Sequence, residues 1–222
     1  MFDRVLVPLD GSALAETALK AACSLAEEVF LFHAASSSAF ERPAAAKYLA
    51  GVAGRLRRKG IRVQTRLRSG EPSRLLARAA VKDRIGLVVI SGRGRGGGGK
   101  GPLGSVAERV LRTSPVPVLL LRGGAKIRRV LVPLRQGCAG LIATVGELAR
   151  PLRARVALLH PGARKDRRLL VAMDVLTRLG IPARVSARGG AADLVAVADL
   201  GAPARRLLRD SGRSLLLVRR GA

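Results

Sequence analysis

A glycine-rich segment with basic side chains is the part of this sequence best suited to hold a ligand. Residues 91–105, SGRGRGGGGKGPLGS, hold eight glycines, which let the backbone approach an anion closely and turn its N–H groups inward. The segment ends in Gly104-Ser105 before a helix-like run, where free N–H groups and the helix dipole favour phosphate. Three basic side chains add positive charge: Arg93, Arg95 and Lys100. The candidate ligands are a phosphate group and a nucleic-acid backbone, and the alternative is a loop without a ligand.

A second candidate is Asp10, which follows the first predicted strand in the sequence VPLDGS. In doubly wound sheets, ligands bind beyond the carboxyl ends of the strands, where the strand order reverses. We expect the glycine-rich segment and Asp10 to meet there, and a carboxylate can accept hydrogen bonds from a ribose hydroxyl, so together they predict a nucleotide pocket. Local structure offers alternatives, since Asp10 before Gly11-Ser12 is also typical of a turn and helix cap, and Ser105 with Glu108 of a capping box.

Histidines and cysteines give no comparable pattern. His33 and His160 end corresponding predicted strands and have no second His or Cys ligand nearby, so a packing role is favoured over a metal site. Cys23 is expected on the apolar side of a helix, and Cys138 has no catalytic partner. Two isolated cysteines indicate no disulfide framework and favour a reducing cytoplasm.

The elements that must position these residues alternate between strand and helix. Strand signals fall at residues 4–9, 29–34, 61–68, 87–90 and 116–121. Helix signals fall at residues 12–27, 43–59, 71–82 and 105–113. This alternation predicts an α/β fold, a doubly wound parallel sheet with helices on both faces.

The chain contains this plan twice. RVLVPLD at residues 4–10 returns as RVLVPLR at residues 129–135, and the end of the first half returns in altered form at the end of the chain. Internal repeats of this kind mark repeated structural units. We therefore predict two tandem domains, residues 1–122 and residues 126–222, of which the second is truncated.

The truncation raises a difficulty in the second domain. About five residues separate PARVSAR (182–188) from LVAV (194–197), whereas a parallel crossover takes a dozen or more. Two explanations are open. Either the third helix is deleted and the sheet rearranged, or one of these segments is not a strand.

Composition limits the class of protein. The chain has 222 residues, is 48% hydrophobic and carries a net charge of +26. Such an excess attracts phosphate polymers, but the basic residues are spread along the chain and aromatic residues for base stacking make up only 2%. Nucleic acid is therefore a minor alternative. No apolar run reaches the ~18 residues that span a bilayer, and no signal peptide is recognised, so no membrane partner and a cytoplasmic location are expected.

Three stretches together resemble the universal stress protein family: RVLVPLDGS at the start, the glycine-rich segment with SVAERVL, and SPVPVLLLR. The resemblance covers nearly all of residues 1–122 and, more faintly, 126–222, as in a tandem member. It implies a Rossmann-like, adenine nucleotide alpha hydrolase-like fold and an ATP-binding stress-response or signalling module. The nucleotide-binding subgroup carries Gly, two residues, Gly, nine residues, then Gly-Ser or Gly-Thr. Gly94 and Gly104-Ser105 fit this spacing, while Ser91 occupies the first glycine position.

The resemblance implies an ATP site, with or without Mg²⁺, in the first domain. Asp10 would bind at the adenosine end, Pro8 would shape the floor, and the backbone of Ala34 would line the adenine pocket. The residues expected along the ribose and phosphates are Ile90, Ser91, Arg93 and Gly94. The residues expected to hold the phosphates by N–H groups and a hydroxyl are Gly104, Ser105 and Val106.

The second domain departs from the family pattern at the site. Arg135 stands in place of the aspartate and Ala202 in place of the serine, and arginine cannot accept ribose hydrogen bonds. We therefore expect one nucleotide per chain, in the first domain. Since family members pair through their last strands, we also expect the two domains to pair through VPVLLL and SLLLV within one chain, which would cover two sheet edges. A homodimer is a further alternative.

The expected function is binding and not chemistry. No general base is placed beside a nucleophile, and Lys100 is followed by Gly101, so no Walker lysine pattern is present. Gly92–Gly97 matches G-x-G-x-x-G but follows the fourth predicted strand, so a NAD or FAD site is not expected. Efficient ATP hydrolysis needs a positioned water and a metal clamp. We predict no catalytic residues and slow hydrolysis at most, with a ligand-free scaffold as the alternative function.

Overall fold

A computed structural model describes most of the chain. The described residues are 1–35, 41–92, 103–122, 126–134, 139–160, 166–187, 190–199, 201 and 213–219. They form two compact units, residues 2–123 and residues 124–222 with Met1. None of the helices in these ranges is long and apolar enough to cross a membrane.

The described residues of the first unit form a five-stranded parallel sheet with four helices. Its strands are β1 (Phe2–Pro8), β2 (Ala26–Ala35), β3 (Arg62–Ser69), β4 (Leu87–Ser91) and β5 (Val118–Leu121). Its helices are α1 (Ala13–Leu25), α2 (Glu41–Arg57), α3 (Pro72–Lys82) and α4 (Ser105–Thr113). The strand order is β3-β2-β1-β4-β5, and every pair is parallel. The predicted α/β fold with a doubly wound parallel sheet is confirmed.

The strand order decides which helices share a face. The chain moves in one direction from β1 to β3 and then returns past β1 to β4 and β5. Because parallel crossovers are right-handed, α1 and α2 cover one face of the sheet and α3 and α4 the other, and α3 and α4 pack against each other. Strands covered on both faces read as continuous apolar runs, and β4 is accordingly buried from Leu87 to Ile90.

Local signals explain where the helices begin and end. Ser12 caps α1 by accepting a hydrogen bond from the Ala15 N–H at 3.1 Å. The prediction that this helix reaches residue 27 is wrong, because Ala26 is already extended and pairs with Phe2 in the sheet. Gly60 ends the turn after α2 with φ of +78°, a conformation that disfavours side chains.

The second unit repeats the parallel arrangement of strands. Its strands are β6 (Arg129–Pro133), β7 (Arg155–Leu159), β8 (Ala183–Ser186), β9 (Leu194–Val197) and β10 (Ser214–Leu217). Its described helices are α5 (Ala139–Leu152) and α6 (Arg167–Arg178). The strand order is β8-β7-β6-β9-β10, again with parallel pairs.

The short connection in the second unit joins two true strands. β8 pairs with β7 and β9 pairs with β6, so neither segment was assigned wrongly and the strand order is not rearranged. The seven residues from 187 to 193 separate the two strands. They can extend about 23 Å. The crossing takes three strand spacings, about 14 Å, and a return of three residues along the short strands, about 10 Å, which together give about 17 Å. Short strands therefore allow the chain to cross the sheet without a helix.

Two glycines in and after α2 give a test of this backbone. A Cβ added at the exposed helical Gly51 would meet no atom within 4 Å. We expect Gly51→Ala to raise the free energy of unfolding by about 0.5–1 kcal/mol, because alanine loses less backbone entropy in a helix. Gly60→Ala is the matched control and should lower it by about 1 kcal/mol or more, because its φ is left-handed. Urea unfolding measures both, and stabilisation by both substitutions would contradict the assigned backbone.

Candidate functional site

A cleft of about 190 Å³ lies at the carboxyl ends of the strands in the first unit. The ends of β1, β2 and β4 and the starts of α3 and α4 surround it. This is the point where the strand order reverses between β1 and β4. Open α/β sheets bind their ligands at such reversal points.

Most of the residues predicted for the nucleotide line this cleft. The structure places eight of the ten there: Pro8, Asp10, Ala34, Ile90, Ser91, Gly104, Ser105 and Val106. Arg93 and Gly94 lie outside the described residues, as do Arg95 and Lys100. The two sequence segments that the topology was expected to join thus share one cleft.

Asp10 has a structural role at the edge of the cleft. Its Oδ1 atom accepts hydrogen bonds from the Ser12 N–H at 2.9 Å and the Ser12 hydroxyl at 2.6 Å. The same hydroxyl caps α1. The turn-and-cap alternative for Asp10 is therefore present, and it holds the carboxylate in a fixed position against the cleft.

The start of α4 has no side-chain cap. Its N-cap is Gly104, and no side chain among the described residues bonds to its first-turn N–H groups. The capping-box alternative for Ser105 and Glu108 is wrong, because Ser105 is already helical and the Glu108 carboxylate pairs with Arg112 at 2.8 Å. The N-terminal end of α4, with its partial positive charge, thus faces the cleft and can receive an anion.

Gly92 closes the base of the glycine-rich segment. Its N–H donates to the Leu121 carbonyl at 2.8 Å, and its own carbonyl accepts from the Gly104 N–H at 2.9 Å. A Cβ at position 92 would lie 3.3 Å from the Leu121 carbonyl oxygen, which is tight. Sequence reasoning assigned no role to Gly92, although its place directly after the first motif position was a usable signal.

The opposite wall of the cleft is apolar. Ala15, Phe32 and Leu76 line it together with Pro72 at the start of α3. Phe32 is almost fully buried, so it forms a fixed wall. Sequence reasoning missed these residues because α3 is brought to the cleft by the topology and carries no motif. An apolar wall facing polar helix termini suits a ligand with a flat base at one end and phosphate at the other.

The start of α3 is capped, unlike that of α4. The Glu71 carboxylate accepts hydrogen bonds from the Arg74 N–H at 2.8 Å and the Ser73 N–H at 3.1 Å. The hydrogen bond from the Arg74 backbone, with those from Ser73 and the nearby charge of Arg109, lowers the pKa of Glu71. α3 thus carries its own anion beside the cleft wall.

The histidines and the described cysteine show packing and pairing. His33 meets the Tyr48 ring edge-on at 6.2 Å between centroids. His160 Nε2 lies 2.8 Å from the Asp166 carboxylate, which also caps α6. No group of three metal-ligating side chains occurs in the part of the chain that the structure describes. Burial raises the pKa of the half-buried Cys23 thiol, and Cys138 lies outside the described residues.

Comparison with known proteins supports one family. The model of the universal stress protein family matches residues 1–122. The universal stress protein YxiE of Bacillus subtilis strain 168 is 26% identical over 148 residues, which covers 55% of this chain and all of that protein.

Two crystal structures are similar over nearly the whole chain. A universal stress protein from Archaeoglobus fulgidus DSM 4304 has a TM-score of 0.77 at 19% identity, covering 98% of both chains. A putative universal stress protein from Pseudomonas aeruginosa UCBPP-PA14 has a TM-score of 0.67 at 16% identity, covering 98% of this chain and 93% of that one. At these identities the two structures show a shared fold.

The cap of α3 predicts a pH-dependent contribution to stability. Because the pKa of Glu71 is lowered by folding, its stabilisation is present above the unfolded pKa of about 4.3 and is lost as the pH falls through the folded value. We expect Glu71→Gln to lower the urea midpoint at pH 7, and the difference from wild type to close as the pH falls through the lowered pKa of Glu71. Glu108→Gln, which removes an exposed pair, is the control and should change the midpoint little. If the difference in urea midpoint between Glu71→Gln and wild type persists in acid, the charge of Glu71 is not its cause.

Proposed function

Since the universal stress protein family model matches more than half of the chain, the chain belongs to that family, and we propose that it is an ATP-binding stress-response or signalling module. The nucleotide is held in the first unit. The observation that carries this proposal is the cleft in which Asp10 faces the uncapped start of α4 beside an apolar wall.

Each part of the cleft suits one part of an adenine nucleotide. The apolar wall with Phe32 and the backbone of Ala34 suits the base. Asp10 is positioned by Ser12 and can accept hydrogen bonds from the ribose hydroxyls. The first-turn N–H groups of α4 and the Ser105 hydroxyl suit the phosphates. The ligand thereby completes the unsatisfied helix terminus.

The cleft favours binding over hydrolysis. Asp10 is the carboxylate among its described lining residues. One carboxylate already engaged in a turn supplies a weak Mg²⁺ site and no separate means of positioning the attacking water. ATP would therefore act as a bound signal, with slow hydrolysis at most, and it would change the surface that the glycine-rich segment presents.

The second unit has a different proposed role. Arg135 and Ala202 replace the aspartate and the serine of the pattern, and both lie outside the described residues. We propose that this unit binds no nucleotide and serves as a built-in partner that pairs through its last strand within the chain. Homodimer formation is a less favoured alternative.

The first test of the proposed function is calorimetric titration of ATP with Mg²⁺ into nucleotide-stripped protein. We expect one site per chain and at least about tenfold weaker binding in Asp10→Ala, which corresponds to about 1.4 kcal/mol. Glu27→Ala is the matched control and should leave ATP binding unchanged, because it removes an exposed carboxylate at the amino end of β2, away from the cleft. Two sites would contradict the inactive second unit. Absence of binding at about millimolar ATP, a limit near −4.1 kcal/mol, would favour the ligand-free scaffold.

A second test concerns the start of α4. A Cβ at Gly104 would lie 3.8 Å from the Gly92 carbonyl oxygen, so an alanine fits. The branched side chain of Gly104→Val is expected to screen the first-turn N–H groups and weaken ATP binding about tenfold, while Gly104→Ala changes it less. The dependence of affinity on salt concentration tests the remaining alternative, nucleic-acid binding. The affinity of a nucleic-acid binder would fall steeply with salt, with a slope set by the number of phosphates that it contacts. Equal ATP affinity in both variants would exclude α4 as the phosphate site.

A further inference from the structure

Helix α3 covers part of one face of the sheet in the first unit, and its contacts show which groups on that face are buried or paired. Phe30 and Phe32 of β2 point to this face and are 3% and 1% exposed. Leu76 and Ala80 of α3 are also buried. At the far end of the helix, Arg4 Nη1 donates to the Asp83 carbonyl at 3.0 Å, and Arg66 pairs with the Asp83 carboxylate at 2.9 Å.

The corresponding face of the second unit has no described helix above it. The chain passes from β8 to β9 without one. The sheet register places Ala157 opposite Leu131, as it places Phe30 opposite Leu6 in the first unit. Ala157 and Leu159 on β7 are half-buried, whereas Phe30 and Phe32 at the matching positions are buried. A cleft of about 440 Å³ lies over this face, lined by β6, β7, β8 and residues 190–192.

Three arginines stand along one end of this cleft. They lie at the amino ends of three neighbouring strands. Arg129 is the first residue of β6, Arg155 is the first residue of β7, and Arg184 is the second residue of β8. The matching positions in the first unit hold Arg4, Glu28 and Gln64, which pair with one another at 3.4 and 3.2 Å.

The second unit has no carboxylate at the position of Glu28 to pair with these arginines. Arg129 pairs with Asp193 at 3.1 Å. Arg155 and Arg184 are exposed and make no ion pair with another described residue. The face therefore carries uncompensated positive charge beside an apolar floor.

We propose that this arginine groove, formed by Arg129, Arg155 and Arg184 with the half-buried Ala157 as its floor, binds an amphipathic acidic helix of a partner protein. The helix takes the place that α3 occupies in the first unit. Its apolar side covers the floor, and its C-terminal carbonyls and acidic side chains meet the arginines, as Asp83 meets Arg4 and Arg66.

Dimensions and charge favour this occupant over the others. Two strand spacings across the sheet and two residues along it place the backbones of Arg129 and Arg184 about 12 Å apart, which is close to the diameter of one helix. A second copy of this chain would bring two bodies of net charge +26 together. A nucleic-acid strand would find an apolar floor with no aromatic side chain among the described lining residues to stack on its bases.

The test uses fluorescence anisotropy with the full chain at about 150 mM salt. The probe is a labelled helical peptide of about four turns, with leucine and alanine at the spacing of Leu76 and Ala80 and glutamates in its last turn. We expect the peptide to bind, and a version with lysines in place of the glutamates not to bind. Absence of binding by the glutamate peptide, or equal binding by the lysine peptide, would overturn the proposal.

Variants locate the binding surface. Arg155→Glu with Arg184→Glu should weaken peptide binding at least about tenfold, and glutamate is the residue that the first unit holds at the position of Arg155. The control, Arg150→Glu with Arg167→Glu, makes the same charge change on exposed positions of α5 and α6. Equal losses in the two double variants would identify a general charge effect and overturn the proposal.

A final variant tests the apolar floor. Ala157→Phe restores the side chain of the first unit and fills the groove, so we expect peptide binding to fall about tenfold while unfolding stability is kept or raised. Unchanged peptide binding would mean that the helix does not lie on this face. Competition by a single-stranded DNA oligonucleotide at the affinity of the peptide would identify a general anion surface and would also overturn the proposal.

Discussion

The handedness of parallel crossovers is the constraint on which this molecule depends. Because β1 lies in the middle of its sheet and each crossover is right-handed, the chain must place two helices on each face. Between β1 and β4 the crossovers diverge, and the carboxyl ends of the strands are left uncovered there. The cleft with Asp10 and the start of α4 is a consequence of this path more than of any single contact.

The N-terminal ends of α3 and α4 differ in charge at the cleft. α3 satisfies its own N–H groups with Glu71, so its end is neutralised and can present the apolar Pro72 and Leu76. α4 begins at a glycine, and within the described part of the chain no side chain satisfies its first N–H groups. One terminus therefore helps to form a wall and the other can attract an anion, and this asymmetry gives the cleft a polarity along which a base-to-phosphate ligand can align.

Pattern and motif predicted the α/β fold class and the family resemblance, and both are confirmed. The strands were predictable because those buried on both faces are continuous apolar runs, as Leu87 to Ile90 shows. The contribution of Phe32 and Leu76 to the cleft was not predictable, since it depends on crossover geometry. The capping box failed because Gly104 took the cap position that a serine usually fills. A deleted helix was expected only together with a rearranged sheet, because a parallel crossover usually takes a dozen or more residues. The short β8 and β9 allow a shorter crossover without a change of strand order.

The hydrogen bond between the Gly104 N–H and the Gly92 carbonyl has a consequence for how this family member can diverge. It ties together the two ends of the segment between them, independently of what that segment contains. Once the ends of a loop are tied, doubling its length costs only about 0.6 kcal/mol of closure entropy. An insertion between Gly92 and Gly104 is therefore expected to cost little closure entropy. The length of this segment can therefore change in evolution in response to the ligand, while its two ends stay in the same positions.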